Sequence, residues 1–117
     1  MTDSNFNDIL GKIKKFRDDR DWSQFHNHKD MAISLVLEAS EVLEHFQWKS
    51  KDEIKKHIED YKEEISDELA DVAMYLFELS DNLGINLFAA IESKLQKNEE
   101  KYPIKKSKGS NKKYTHL

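Results

Sequence analysis

The chain has no cysteine, which excludes disulfide frameworks, zinc–thiolate centres and thiol nucleophiles and leaves nothing to argue for secretion. A cytoplasmic location is the expectation. No apolar run approaches the ~20 residues of a membrane-spanning helix, and Met1 to Asn7 is polar rather than signal-like. A soluble protein with no membrane partner is therefore expected. Proline occurs once and glycine three times, too few turn formers for a many-stranded sheet, whereas Leu, Glu, Lys and Ala favour helices. The predicted class is all-α. Positive charge is also scarce outside the end of the chain: from Lys105 onward there are five lysines and no acid, so a net charge of −4 leaves −9 on residues 1–104. An acidic body disfavours a nucleic-acid polymer as partner, because such binding is driven by Lys and Arg displacing counterions.

What is present is helical periodicity in a length of 117 residues, enough for one domain. Phe6, Ile9, Leu10, Ile13 and Phe16 mark a first helix over about Asn5 to Asp21. After an aromatic connector, Asn27 is a good cap for a second helix from His28 to about Trp48. Its segment Met31 to Leu37 is apolar nearly all round and must be covered on several sides, within the monomer or by a second subunit. Ser50 and Glu53 form a capping-box pattern that opens a third helix reaching about Asn82, with a highly charged first half expected to fray or bend. Gly84 ends it, and a fourth helix runs from about Asn86 to Lys101, before Pro103. Residues 1–104 are thus expected to form the domain, a four-helix bundle, and residues 105–117 a basic polar tail that orders only against a partner.

Glu38 and Glu41 stand three apart on the second helix and share one face, and Glu68 and Asp71 repeat the spacing on the third, with Glu64 and Tyr75 extending that stripe by one turn each way. In a chain with 23 acids, one such pair is ordinarily a solvated face. Two pairs on adjacent helices, each embedded in apolar sequence, are different. Like charges ~4 Å apart repel by about 4 kcal/mol at an effective dielectric of about 20, so converging carboxylates must protonate or bind a cation. An all-oxygen donor set suits Mg²⁺, with Mn²⁺ as a substitute, rather than zinc or copper.

Glu38-Ala-Ser-Glu41, followed 27 residues later by Glu68-Leu-Ala-Asp71, resembles the ExxE…ExxD signature of the MazG-like all-α nucleotide pyrophosphohydrolases. Phe16 to His26 with Trp22, Phe46-Gln-Trp48, and Ser93-Lys94 with Asn98 and Lys101-Tyr-Pro103 are similar to the family's dCTP pyrophosphatase branch, so the resemblance spans about residues 6 to 104. It implies Mg²⁺-dependent hydrolysis of a nucleoside triphosphate, dCTP or a related dNTP, to monophosphate and pyrophosphate, a reaction that cleans the nucleotide pool. The implied metal ligands are Glu38, Glu41, Glu68 and Asp71, with Glu41 as general base. The implied substrate contacts are Trp48 and Tyr75 at base and sugar, Lys94 and Asn98 near the phosphates, and Trp22 and His26 beside the pocket. Assembly as a dimer or dimer of dimers is implied too, which would cover the apolar second helix. The remaining histidines carry no motif and are expected on the surface.

Two other classes compete. Di-iron and di-manganese carboxylate bundles combine glutamates with Glu-x-x-His, and here no histidine lies three residues after a glutamate. A non-enzymatic helical interaction module would use the acidic stripe as a solvated or partner-binding face, and magnesium-dependent pyrophosphate release separates the two.

Overall fold

The structure, a computed structural model, describes residues 5–117, and among these every regular element is helical. Helix α1 is Phe6–Asp19, α2 is His28–Glu44, α3 is Lys51–Asn82, α4 is Leu87–Lys101 and α5 is Ile104–Ser107, with 3₁₀ turns at Ser23–Phe25 and Tyr114–His116. No described helix is long and apolar enough to cross a membrane. Contacts divide the chain into one unit ending at Gly84 and another from Ile85 to Leu117.

Each helix of the first unit starts where a side chain satisfies free backbone N–H groups. Asn5 accepts from the Asp8 amide at 2.9 Å and Asn27 from the Asp30 amide at 2.9 Å. Ser50 and Glu53 make the full capping box, with bonds of 3.2 and 3.1 Å in the two directions. Two helices end earlier than their apolar patterns suggest, because the chain turns through left-handed residues: Asp21 (φ 56°) follows α1 and Trp48 (φ 67°) follows α2. Aspartate tolerates this region, but an indole-bearing residue there is strained by roughly 1–2 kcal/mol. Gly84 (φ 69°) closes α3 with the conformational freedom that glycine alone has.

Helices α2 and α3 form an antiparallel hairpin. Asn82 Nδ2 reaches Met31 Sδ at 3.0 Å at one end, and His45 meets His57 and Glu68 at the other. The covered stripe of α2 runs through Met31, Leu35, Glu38, Val42 and His45, and that of α3 through Ile65, Glu68, Asp71, Val72, Tyr75, Glu78 and Leu79. Acids therefore occupy rows that helical periodicity would give to apolar residues. Helix α1 joins α3 through the edge-to-face pair Phe6–Phe77 (5.0 Å) and the Lys14–Asp81 ion pair (3.2 Å). Within α3, Tyr61 departs from helical geometry (φ −125°, ψ 26°), at the charged half where a bend is expected.

Met31 is the one fully buried apolar side chain among the described residues, while Ile33, Val36 and Leu37 of α2 are 46%, 66% and 58% exposed. The cover that this helix requires is not supplied by the described chain.

In the second unit, α4 is capped by Asn86, which accepts from the Ala89 amide at 3.1 Å. The segment after Lys105 differs from a featureless tail. Pro103 (φ −58°) opens the short α5, and the Tyr114 ring meets Tyr102 edge-to-face at 6.0 Å with the Lys101 ammonium over its face at 4.9 Å. Aromatic and cation–π contacts thus give this polar stretch local order of its own.

Candidate active site

A cavity of about 450 Å³ opens within the first unit. One part of its wall carries Glu38 from α2 with Asp71 and Tyr75 from α3; another carries Phe16, Trp22 and His26 with Glu78. The helical step sets this order, since Asp71, Tyr75 and Glu78 follow one another at four and three residues along one face. Phe16 and Trp22 meet edge-to-face at 5.8 Å and wall the second part with aromatic surface.

At the first part, Glu38 Oε2 is buried with no hydrogen-bond partner. Burial pushes the Glu38 carboxyl above the ordinary carboxylate range, and the charges of Glu41, Asp71 and Glu68 push it further. The other three acids are thus electrostatic neighbours of Glu38, whose buried oxygen has no hydrogen-bond partner. No group of three or more acids or histidines among the described residues is already closed around a metal position. The donor chemistry nonetheless fits a hard divalent cation: all ligands are oxygens, their mutual repulsion disfavours the ionised set, and one buried oxygen is unmet.

Glu68 is held by a relay that runs between the two helices. Its Oε2 meets His45 Nε2, His45 Nδ1 lies 2.7 Å from His57 Nε2, and the His57 ring stacks on Tyr61 at 4.6 Å. With the Nε2–H tautomer of His45 directed to the Glu68 carboxylate, its Nδ1 is left to accept from His57 Nε2. Burial and the nearby charge of Lys49 hold the His57 pKa below its ordinary value. These two histidines are not surface residues, as the sequence had suggested. The His45 side chain is only 13% exposed, because the hairpin folds residues twelve apart onto each other.

At the second part, Glu78 is buried, and burial lifts its carboxyl above the ordinary range despite the opposing effects of His26 and Arg17. His26 Nδ1 lies 3.3 Å from Glu78 Oε2, near enough for charge attraction, yet the angle makes no hydrogen bond and Nδ1 is buried without a partner. Arg17 is pinned at its Nε by Asp18 at 2.9 Å.

Of the residues singled out by sequence, Glu38, Asp71, Tyr75, Trp22 and His26 line this one cavity, and Glu41 and Glu68 act on Glu38 from beside it. Trp48 is 91% exposed and is not among the lining residues. Lys94 and Asn98 stand one turn apart on α4, in the second unit. Sequence reasoning missed Glu78, Arg17, Phe16 and the His45–His57 relay. For Glu78 the signal existed, as the next step of the Glu64–Glu68–Asp71–Tyr75 stripe.

The sequence profile of the MazG-like family matches residues 33–117. The chain is 38% identical over 112 residues to dCTP pyrophosphatase 1 of Rattus norvegicus and 35% identical to that of Homo sapiens. The match covers 94% of this chain, which spans 66% of the length of either relative. A crystal structure of a pyrophosphatase from Archaeoglobus fulgidus superposes with a TM-score of 0.81 at 39% identity, covering 88% of this chain and 96% of that one.

Proposed function

Because the chain belongs to the MazG-like family, we propose that it is a nucleoside triphosphate pyrophosphohydrolase, converting dCTP or a related dNTP to the monophosphate and pyrophosphate and so clearing such nucleotides from the pool. The observation that carries this reading is the meeting of carboxylates from α2 and α3 at one part of a cavity whose other part is aromatic. An acidic pocket repels a triphosphate unless a cation stands between them. Glu38, Glu41, Glu68 and Asp71 are the residues that would hold Mg²⁺, with Mn²⁺ as a substitute. Bound there, the cation supplies neutralisation of phosphate charge and acidification of water.

The chain's own groups do the rest. Glu41, the most exposed of the four acids, accepts the proton of the attacking water. The water oxygen bonds to the α-phosphorus, the bond from that phosphorus to the α,β-bridging oxygen breaks, and pyrophosphate leaves with the bridging oxygen. Trp22, Tyr75 and His26 bind the nucleoside within the cavity. Lys94, Asn98 and Trp48 are assigned to phosphate and base by family pattern. The exposed apolar face of α2 supports a homo-oligomer, a dimer or dimer of dimers, in which a second copy covers Val36 and Leu37.

A panel of nucleoside triphosphates incubated with Mg²⁺ and resolved by chromatography tests the reaction. Monophosphate and pyrophosphate are expected, and diphosphate with phosphate would reject the assigned bond. Glu41→Gln should lower turnover by about a hundredfold or more even at Mg²⁺ or Mn²⁺ concentrations raised until activity no longer responds to the metal. Full activity in that variant removes Glu41 as the base.

A further inference from the structure

Glu78 has no part in the chemistry described above, yet it is 5% exposed, and it is one of the residues lining the cavity, as are Trp22 and Phe16. An acid is costly at such a place unless its oxygens are met. Oε2 lies 3.3 Å from His26 Nδ1 without a hydrogen bond between them, so the carboxylate keeps its capacity to accept from whatever enters between the aromatic rings and the acid. We propose that Glu78, beside His26, reads the base of the nucleotide by accepting a hydrogen bond from an exocyclic amine, so that the cavity selects amino-bearing bases, cytosine above all, over their carbonyl counterparts. This rests on the reading that the cavity takes a nucleotide.

The selection follows from donor and acceptor chemistry. Cytosine presents an N–H at its 4-position, which completes the acceptor. Uracil and thymine present a carbonyl oxygen at the same place, which would set its lone pairs against those of the carboxylate. Burial raises the carboxyl of Glu78, and a hydrogen bond donated by an amine favours the charged form that burial disfavours. The cavity holds about 450 Å³, and the distance along α3 fits a nucleotide lying lengthwise: Asp71 and Glu78 are seven residues apart, two turns on one face, or about 10 Å at 1.5 Å per residue. Phosphates at Glu38 and Asp71 therefore bring the base to Trp22 and Glu78.

Binding of dCMP and dUMP, measured by isothermal titration without any turnover, tests the proposal. The unsubstituted protein should bind dCMP roughly ten- to hundredfold more tightly, the range of one hydrogen bond to a charged group. Glu78→Gln should bring the ratio close to one, since an amide can turn either its oxygen or its NH₂ to the base, and Glu78→Ala should do the same by removing the acceptor. Equal affinity of the unsubstituted protein for the two monophosphates, or an unchanged preference in Glu78→Gln, would overturn the assignment. Pyrophosphate release from both dCTP and dUTP without such a preference would sink this inference and leave the proposed hydrolase standing. Binding of neither monophosphate would sink both.

Discussion

Glu38 and Glu78 are both acids in the wall of one cavity, and burial pushes both carboxyls above the ordinary range, but their neighbours are of opposite kinds. Around Glu38 stand Glu41, Glu68 and Asp71, each of which makes its ionisation harder. Around Glu78 stand His26 and Arg17, which make ionisation easier, with Asp18 opposing them. The same direction of shift therefore has different remedies. The first acid calls for positive charge brought from outside, whereas the second already has the Arg17 guanidinium near it and can be met by a neutral hydrogen-bond donor. Under the proposed function, one small cavity is in this way divided into a place for a cation with phosphate and a place for a base.

The contrast is sharpest in what loss of each acid does. Glu38→Gln should reduce pyrophosphate release by about a thousandfold or more, the scale of several kcal/mol of charge stabilisation, while raising the melting temperature in buffer free of divalent cations because a buried repulsion is removed. A variant that loses activity and stability together would argue that Glu38 is merely structural. A smaller effect concerns the cation alone: Mg²⁺ at a hundredfold excess over its Kd should add about 2.7 kcal/mol to the unfolding free energy of the unsubstituted protein, and far less to Glu38→Gln. Calorimetric melts with and without Mg²⁺ check this, and an equal loss of the effect in Glu78→Gln would break the division between the two acids. The smallest effect is on pH. The native state holds the Glu78 proton to higher pH than the unfolded chain, so this group's contribution to stability falls as pH rises from the ordinary carboxylate range through the raised value. Urea unfolding across that window should show Glu78→Gln gaining on the unsubstituted protein as pH increases, and parallel curves would reject the shift.

Much of this was legible in the sequence because it is local. The capping box at Ser50 and Glu53, the stop at Gly84 and the three-residue spacing of the carboxylates all depend on residues within a turn or two of each other. The ends of α1 and α2 were not, because Asp21 and Trp48 turn the chain in the left-handed region, which neither residue type announces. The relay from His57 through His45 to Glu68 requires the hairpin to be closed before any of its members are neighbours. Arg17 and Phe16 enter the cavity wall only because α1 packs on α3, a relation that no periodicity within α1 encodes. Glu78 lies between the two cases: its phase on α3 was readable, but its burial depends on the opposing helices and connector.

The break at Tyr61 bears on how this helix tolerates change. Azimuth around an α-helix is counted from residue to residue, so an inserted or deleted residue rotates everything beyond it by about 100° in an uninterrupted rod. A non-helical residue resets that count. A length change between Ser50 and His57 that is absorbed at the interruption leaves the phase of Asp71, Tyr75 and Glu78 as before, at the cost of turning His57 away from His45. Beyond Tyr61 a single indel would swing the whole row out of the cavity at once.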